Sequence, residues 1–119
     1  MLILIGFVAG SQVTDAGLAP LSGLKNLRKL DLAAAKVTDA GMTYLEGLYG
    51  LWFLELSHTE VGDAGLARVR ELSGLTKLLL DRTKVGDAGI GHLKRLTRLR
   101  FLHLSDTTIG DAGLAHLAG

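Results

Sequence analysis

The side chains best suited to chemistry in this chain are two histidines and three carboxylates expected in one region of the fold. His58 and His103 fall near Glu55, Asp81 and Asp106 in the sequence pattern, and imidazole beside carboxylate is the donor set of a general-base pair or a metal site. Neither an H-E-x-x-H helix nor a G-x-S-x-G turn occurs. The absence of cysteine excludes thiolate nucleophiles, disulfides and cysteine-ligated zinc. We therefore expect a non-enzymatic protein with no cofactor and no metal.

Basic and aromatic side chains suggest a second chemistry, the binding of nucleic acid, because cations neutralise phosphates and rings stack on bases. These side chains are Arg28, Lys29, Trp52, Phe53, Lys77, Arg82, Arg100 and Phe101. Acidic residues lie among them, namely Asp31, Glu55, Asp81 and Asp106. The formal net charge is only +1, so the long-range attraction that supports such binding is weak. Nucleic acid is therefore kept as a minor alternative, and no membrane partner is expected.

One five-residue motif returns every 24 residues and organises the chain. It reads V-T-D-A-G, V-G-D-A-G or I-G-D-A-G and begins at Val13, Val37, Val61, Val85 and Ile109. An L-x-x-L-x-L segment precedes each of the last four copies, and its last two leucines have the spacing of one strand face. A run with three-residue apolar spacing follows the motif and is typical of a short helix or 3₁₀ turn. A fixed period of this size predicts a stack of small units in one domain, with units 1–24, 25–48, 49–72, 73–96 and 97–119.

These segments resemble the leucine-rich repeat family. The pattern L-x-x-L-x-L-x-x-[TS]-x-[VI] at residues 51–61, 75–85 and 99–109 matches the core segment of that family. The V-T-D-A-G-L run is similar to its short bacterial repeats, with some similarity to ribonuclease-inhibitor-type repeats. The resemblance implies an α/β fold: a right-handed solenoid with a parallel sheet on the concave face and short helices or 3₁₀ turns on the convex face. It also implies a protein–protein interaction module whose partner docks on the concave face.

The resemblance further implies that the third and fifth residues of each segment project from the concave face. The third-position column is then Ile5, Lys29, Phe53, Lys77 and Phe101. The fifth-position column is Phe7, Asp31, Glu55, Leu79 and His103. Aromatic and arginine side chains most often anchor protein interfaces, so the predicted centre of the partner site is Trp52, Phe53, Arg100, Phe101 and His103. The other five residues of this ten-residue site are Lys29, Lys77, Leu79, Glu55 and Asp31. The alternative is that these are ordinary solvated positions with a few exposed rings.

The recurring motif itself is interpreted as structural. Its aspartate, or the threonine or glycine before it, is expected to cap the following helix by accepting a backbone N–H. The motif glycine is expected to permit a tight bend or the close approach of the neighbouring coil. Pro20 predicts an irregular or short first helix. A ladder of hydroxyls along the stack is expected from Ser11, Thr59, Thr83 and Thr107, with a break at Ala35.

The two ends of the repeat show no polar cap. Residues 2–8 are almost wholly apolar, and an unpaired sheet edge readily pairs with another chain. We therefore expect self-association, with a homodimer favoured, through the N-terminal edge formed by Leu2, Leu4, Ile5 and Phe7. The lack of cysteine and of a positively charged leader favours the cytoplasm. A structural or engineered repeat fragment that stacks and binds no ligand is the alternative to a partner-binding module.

Overall fold

Five short strands lie side by side in one parallel sheet, in the same order as in the chain. The computed structural model describes residues 2–5, for which only the backbone is considered, and residues 12–118. The strands are β1 (Leu2–Ile5), β2 (Leu27–Asp31), β3 (Phe53–Glu55), β4 (Lys77–Leu79) and β5 (Phe101–His103). Parallel neighbours need a crossover that returns the chain to the same end of the sheet. The division into five units with the bounds given above stays a prediction.

Short helical segments supply these crossovers, and each begins at the aspartate of the repeated motif. The first two, Asp15–Gly23 and Asp39–Leu45, are 3₁₀-helices, and the next three are α1 (Asp63–Val69), α2 (Asp87–Gly91) and α3 (Asp111–Ala115). A 3₁₀-helix at His92–Arg95 continues α2. The predicted arrangement of parallel strands backed by short helices and 3₁₀ turns is confirmed. No helix within the described residues is long and apolar enough to cross a membrane.

The first helical segment shows the effect of its proline. Pro20 lies inside the 3₁₀-helix Asp15–Gly23. Its ring and missing N–H oppose the i→i−4 bonds of an α-helix, and the nine-residue segment has the tighter 3₁₀ form. The second segment has this form without a proline, so Pro20 is compatible with the 3₁₀ form but is not its only cause. The expected irregularity of this helix is confirmed, whereas its length is not reduced.

An aliphatic core lies between the sheet and the helical segments. Leu30, Leu54 and Leu78, which are paired across the inner strands, are fully buried, and so are the motif residues Val61 and Val85. Each buried leucine contributes roughly 1.5–3 kcal/mol relative to an exposed one. Because this leucine points inward in each strand, its two neighbours point outward, as the partly exposed flanks of β3 and β4 show. The outer face of the sheet is therefore formed by the flanking residues.

The motif aspartates join each coil to the next. Oδ1 of Asp39 accepts hydrogen bonds from the backbone N–H groups of Gly62 (2.6 Å) and Gly65 (2.9 Å). Oδ1 of Asp63 accepts from the N–H of Gly86 (2.7 Å). Asp15 makes the same bond to the N–H of Thr38, and Asp87 to that of Gly110. We call these bonds the aspartate ladder.

The aspartate ladder corrects the expected role of the motif carboxylate. The aspartate is the first residue of its own helix, and its side chain caps the beginning of the next helix instead. The residue before the aspartate is the N-cap, and at Thr38 the side-chain Oγ1 accepts from the N–H of Ala40 at 3.3 Å. The threonine alternative is therefore confirmed at this helix, whereas capping by an aspartate of its own helix is wrong. The glycine permits close approach of the neighbouring coil, because a Cβ at Gly41 or Gly89 would collide with the preceding aspartate.

The expected hydroxyl ladder does not form in the described part of the chain. The Oγ1 atoms of Thr59 and Thr83 donate to the carbonyls of Leu56 (2.6 Å) and Leu80 (2.7 Å), three residues back in the same turn. Thr107 makes the equivalent bond to Leu104. These three hydroxyls therefore close their own turns by bonding a carbonyl three residues back. Ser11 lies outside the described residues.

The turns after β2, β3, β4 and β5 each contain one residue in the left-handed region. These residues are Ala34 (φ 60°), His58 (φ 62°), Arg82 (φ 52°) and Asp106 (φ 57°). This conformation aims the first three N–H groups at the next coil, where they donate to the carbonyls of Ser57, Asp81 and Ser105 at 2.8–2.9 Å. No glycine marks the position, so the sequence did not indicate it.

β1 pairs with β2 two residues out of phase with the sequence repeat. Ile3 lies opposite Lys29 and Ile5 opposite Asp31, with an irregularity between Leu2 and Ile3. The prediction that Ile5 belongs to the column of Lys29 is therefore wrong. A shift of two residues preserves the two-residue alternation of a strand, and this segment is apolar at nearly every position in the sequence, so its pattern does not specify the register. Phe7, predicted opposite Asp31, lies outside the described residues.

Candidate interaction surface

The outward side chains of β2 to β5 form two columns across the sheet. Lys29, Phe53, Lys77 and Phe101 occupy successive paired positions, and we call them the Lys–Phe column. Asp31, Glu55, Leu79 and His103 are paired in the same way and form the second column. Adjacent members of a column lie on strands ~4.8 Å apart. The predicted columns are confirmed for these four strands.

The Lys–Phe column is held together by contacts between ammonium groups and rings. Nζ of Lys29 lies 4.9 Å from the ring centroid of Phe53. Nζ of Lys77 lies 5.7 Å from the centroids of both Phe53 and Phe101. These distances are within the range of favourable cation–π contacts, which contribute about 0.5–1 kcal/mol at exposed sites. The alternation of lysine and phenylalanine thus gives each ring a cationic neighbour.

Trp52 extends this column at the beginning of β3. Its ring meets that of Phe53 edge to face, with centroids 6.0 Å apart, and Nζ of Lys29 lies 5.4 Å from its centroid. Its backbone N–H donates to the Arg28 carbonyl at 2.9 Å, which fixes the residue to the sheet. The predicted aromatic centre is therefore divided. Trp52 and Phe53 touch, whereas Phe101, with 57% of its surface exposed, reaches them only through Lys77.

The acidic members of the second column are engaged by backbone groups. Oδ1 of Asp31 accepts from the N–H of Ala33 at 3.0 Å, and Oε1 of Glu55 accepts from the N–H of Ser57 at 2.7 Å. Each carboxylate thus caps the turn that follows its own strand. Neither one forms an ion pair with a lysine of the neighbouring column. The sequence suggested interleaved charges of both signs. In the structure, the carboxylates bond backbone N–H groups of the following turns, and the lysine ammonium groups contact the aromatic rings.

Comparison with known proteins assigns the fold family. A leucine-rich repeat family model matches residues 23–45 and 95–118. The crystal structure of an internalin (inlF) from Listeria monocytogenes superposes on 90% of this chain with a TM-score of 0.59 and 25% sequence identity. The chain therefore has the fold of a leucine-rich repeat protein. It spans 36% of the internalin chain, and a search of curated proteins gave no match.

Two further residues of the predicted site, Arg100 and His103, are both exposed. His103 lies opposite Leu79 at the end of the second column. Arg100 immediately precedes β5, as Trp52 precedes β3, and its backbone N–H donates to the Thr76 carbonyl at 2.8 Å. Strand register and ring contacts place nine of the ten predicted residues, all but Arg100, on the outer face of the sheet. Their role in partner binding stays a prediction.

The histidine–carboxylate pairs that the sequence suggested do not form in the described part of this leucine-rich repeat protein. Neither His58 nor His103 forms a hydrogen bond or ion pair with a carboxylate within residues 12–118. Asp106 instead accepts from Nε of Arg82 at 3.2 Å. Asp81 accepts from the N–H of Ser105 at 2.7 Å. Within the part of the chain that the structure describes, no group of three or more histidine and carboxylate side chains is placed to hold a metal ion.

The two ends of the stack are an edge strand and a coil with exposed leucines. β1 is an edge strand that pairs only with β2 among the described strands. The side chains of Leu2, Leu4 and Ile5 are not described, and Phe7 lies outside the described residues, so the predicted N-terminal edge stays a prediction. At the other end, Leu114 is 56% exposed, although its counterpart one period earlier, Ile90, is fully buried. The last coil therefore presents apolar side chains on its outer side.

Proposed function

We propose that this leucine-rich repeat protein is a protein-interaction module that binds its partner on the outer face of the sheet. Trp52, Phe53 and Phe101 serve as apolar anchors, and Lys29 and Lys77 as polar contacts beside them. The remaining contacts come from Asp31, Glu55, Leu79, Arg100 and His103. The Lys–Phe column is the observation that carries the proposal, because it places half-exposed rings and ammonium groups in register across four strands.

Two physical features support binding at this face. Aromatic side chains and arginine are enriched at protein interfaces, and tryptophan and arginine are among the residues that contribute most of the binding energy. The backbones of these residues are hydrogen-bonded within the sheet, so a partner meets a largely preformed surface and little ordering free energy is lost. The leucine-rich repeat fold and its internalin-like architecture are consistent with an interaction role.

Alanine at both Trp52 and Phe53 is expected to weaken partner binding while leaving the fold intact. Both side chains lie on the outer face and are only half-buried, so their loss removes contacts to a partner more than contacts to the core. Binders are first selected from a peptide library on the native protein. Their affinity for the double variant should fall at least tenfold, since interface anchors typically contribute 2 kcal/mol or more each.

Tyr49→Ala provides the matched control for this experiment. Tyr49 is 62% exposed and lies before β3 and outside the two columns, so its loss should change affinity less than twofold. Circular dichroism establishes that each variant is folded. Selected binders that tolerate the double variant, or that lose equal affinity on Tyr49→Ala, would count against the outer face as the binding site.

A separate observation favours self-association as a second function. An edge strand with unpaired backbone groups and an open apolar coil are both surfaces that pair with another chain. β1 is such an edge within the described sheet, whereas Leu114 and Leu117, which are 56% and 40% exposed, form the competing surface at the other end. We propose that two copies join through the N-terminal edge, with Leu2, Leu4, Ile5 and Phe7 at the contact.

Light scattering across a concentration series tests this association. The mass is expected to rise from 12.6 kDa toward twice that value as concentration increases. Leu4→Lys should return it to that of one chain, because a buried like-charge pair at the contact is costly. Leu114→Lys at the other end serves as the control and should leave the mass unchanged. A single-chain mass at every concentration rules out the dimer, and a response to Leu114→Lys alone moves the contact to the C-terminal end.

A further inference from the structure

We infer that the segment which docks on the Lys–Phe column is an acidic amphipathic helix lying across the strands, with acidic and apolar side chains on alternate turns. This inference rests on the proposed function and specifies the chemistry of its partner. It follows from three features of the outer face: its unpaired cations, the spacing of its strands and the order of its residues.

The first feature is the charge of the face. Lys29, Lys77 and Arg100 form no ion pair within residues 12–118. The two acids of the neighbouring column, Asp31 and Glu55, already accept backbone N–H groups. The ammonium groups are therefore available to a partner, and a carboxylate is the group that complements them. Each ammonium group can retain its ring contact while its remaining N–H groups donate to that carboxylate.

The second feature is the spacing along the Lys–Phe column. Successive residues lie ~4.8 Å apart, so the three steps from Lys29 to Phe101 span roughly 14 Å. One turn of an α-helix rises ~5.4 Å, and three turns rise about 16 Å. In an extended segment, alternate residues on one face are ~6.6 Å apart, and three such steps span about 20 Å. A helix that crosses the strands thus stays in register with the column, whereas an extended strand does not.

The third feature is the order of residue types. Lys29 and Lys77 are two strands apart, at ~9.6 Å, and residues i and i+7 of a helix are ~10.5 Å apart on nearly the same face. Carboxylates at i and i+7 therefore reach the two lysines. Apolar residues at i+4 and i+11 then lie over Phe53 and Phe101. Trp52, in edge-to-face contact with Phe53, widens the apolar contact beside the first of these positions.

Two synthetic helical peptides of identical composition and equal helicity test this inference. The first carries Glu at i and i+7 and Leu at i+4 and i+11 on one face. The second carries the same four residues with Glu and Leu on opposite faces. Calorimetry measures affinity, and the fluorescence of Trp52, the single tryptophan of the chain, reports whether the peptide reaches the column. The first peptide is expected to bind at least tenfold more tightly than the second.

Charge variants of the full chain complete the experiment. Lys77→Glu should weaken the first peptide at least tenfold, whereas Lys94→Glu should change its affinity less than twofold. Both substitutions alter the net charge by the same amount, but Lys94 is exposed in the 3₁₀-helix His92–Arg95, away from the sheet. A peptide with Lys in place of the two Glu residues should bind the Lys29→Glu/Lys77→Glu variant and not the native protein.

The possible contrary results separate this inference from the proposed function. Equal binding of the two peptides, or none by the first, overturns the acidic helix. The outer face is still supported as the binding site if library binders lose affinity for the Trp52/Phe53 double variant. If they do not, both the binding site and the acidic helix are rejected. Binding of single-stranded oligothymidine that is tighter than that of the first peptide, and equally sensitive to Lys77→Glu, replaces the helix with nucleic acid.

Discussion

Gly89→Ala is expected to lower the free energy of unfolding by about 2–4 kcal/mol, because it overpacks a coil junction and breaks a charged hydrogen bond. A Cβ at this position would overlap Oδ1 of Asp63 and lie 3.1 Å from its Cα. The Cα belongs to the backbone of the preceding helix and cannot move cheaply. The carboxylate would have to leave the N–H of Gly86, to which it is bonded at 2.7 Å.

Gly91→Ala is the matched control, since it makes the same change two residues later in the same helix. A Cβ there would meet the His116 ring at 3.5 Å, an ordinary contact. Alanine is favoured over glycine within a helix by up to ~1 kcal/mol, so this variant should gain stability. Urea unfolding of both variants measures the two changes. Equal stability of the Gly89→Ala variant and the native protein would show that the close packing of the motif glycine does not limit the fold.

Asp39→Ala is expected to cost about 2–4 kcal/mol of unfolding free energy. One oxygen of this carboxylate accepts two N–H groups, those of Gly62 at 2.6 Å and Gly65 at 2.9 Å. Both glycines are buried, so alanine leaves two donors shielded from water, and hydrogen bonds to charged groups contribute roughly 1.5–3 kcal/mol. The carboxylate also lies at the positive end of α1, which adds a favourable charge–dipole interaction.

Asp111→Ala makes the same substitution at a motif aspartate that takes no part in the aspartate ladder as a hydrogen-bond acceptor. Within the described residues, the Asp111 carboxylate bonds no following coil, and the residue is exposed. Its replacement should change stability by less than ~0.5 kcal/mol. Asp39→Asn keeps an acceptor oxygen and removes the charge, so it should fall between the native protein and Asp39→Ala in chemical unfolding. If Asp111→Ala lowers the free energy of unfolding as much as Asp39→Ala does, the aspartate stabilises its own helix and not the following coil.

The sequence predicted the strand columns of β2 to β5 correctly because the period of 24 residues leaves little freedom. Leucines two residues apart must face the core, so Phe53 and Lys77 must face outward, and equal spacing places them on adjacent strands. The register of β1 could not be predicted in this way, because its apolar sequence is compatible both with the register of the repeat and with one shifted by two residues. Its pairing with β2, shifted by two residues, is therefore a property of the folded chain.

The sequence predicted the positions of the column residues on the sheet but not their interactions. Residues such as Phe53 and Lys77 could be assigned to one face from their positions alone, whereas their role in partner binding stays a prediction. Nothing in the sequence indicates that Asp31 and Glu55 turn toward backbone N–H groups, which frees Lys29 and Lys77 for a partner. That choice depends on turn geometry, which brings a donor two residues away closer than the ammonium group on the next column.

The sequence by itself determined the stacking of α/β coils, the composition of the core and the outward columns. A unit of this size cannot bury its apolar face alone, so its repetition requires a stack. Only the tertiary structure decided that the motif aspartate bonds the following coil and that the hydroxyls of Thr59 and Thr83 close their own turns. A period shows which residues are equivalent, but the partner of each polar group depends on which donor the folded backbone brings within hydrogen-bonding distance.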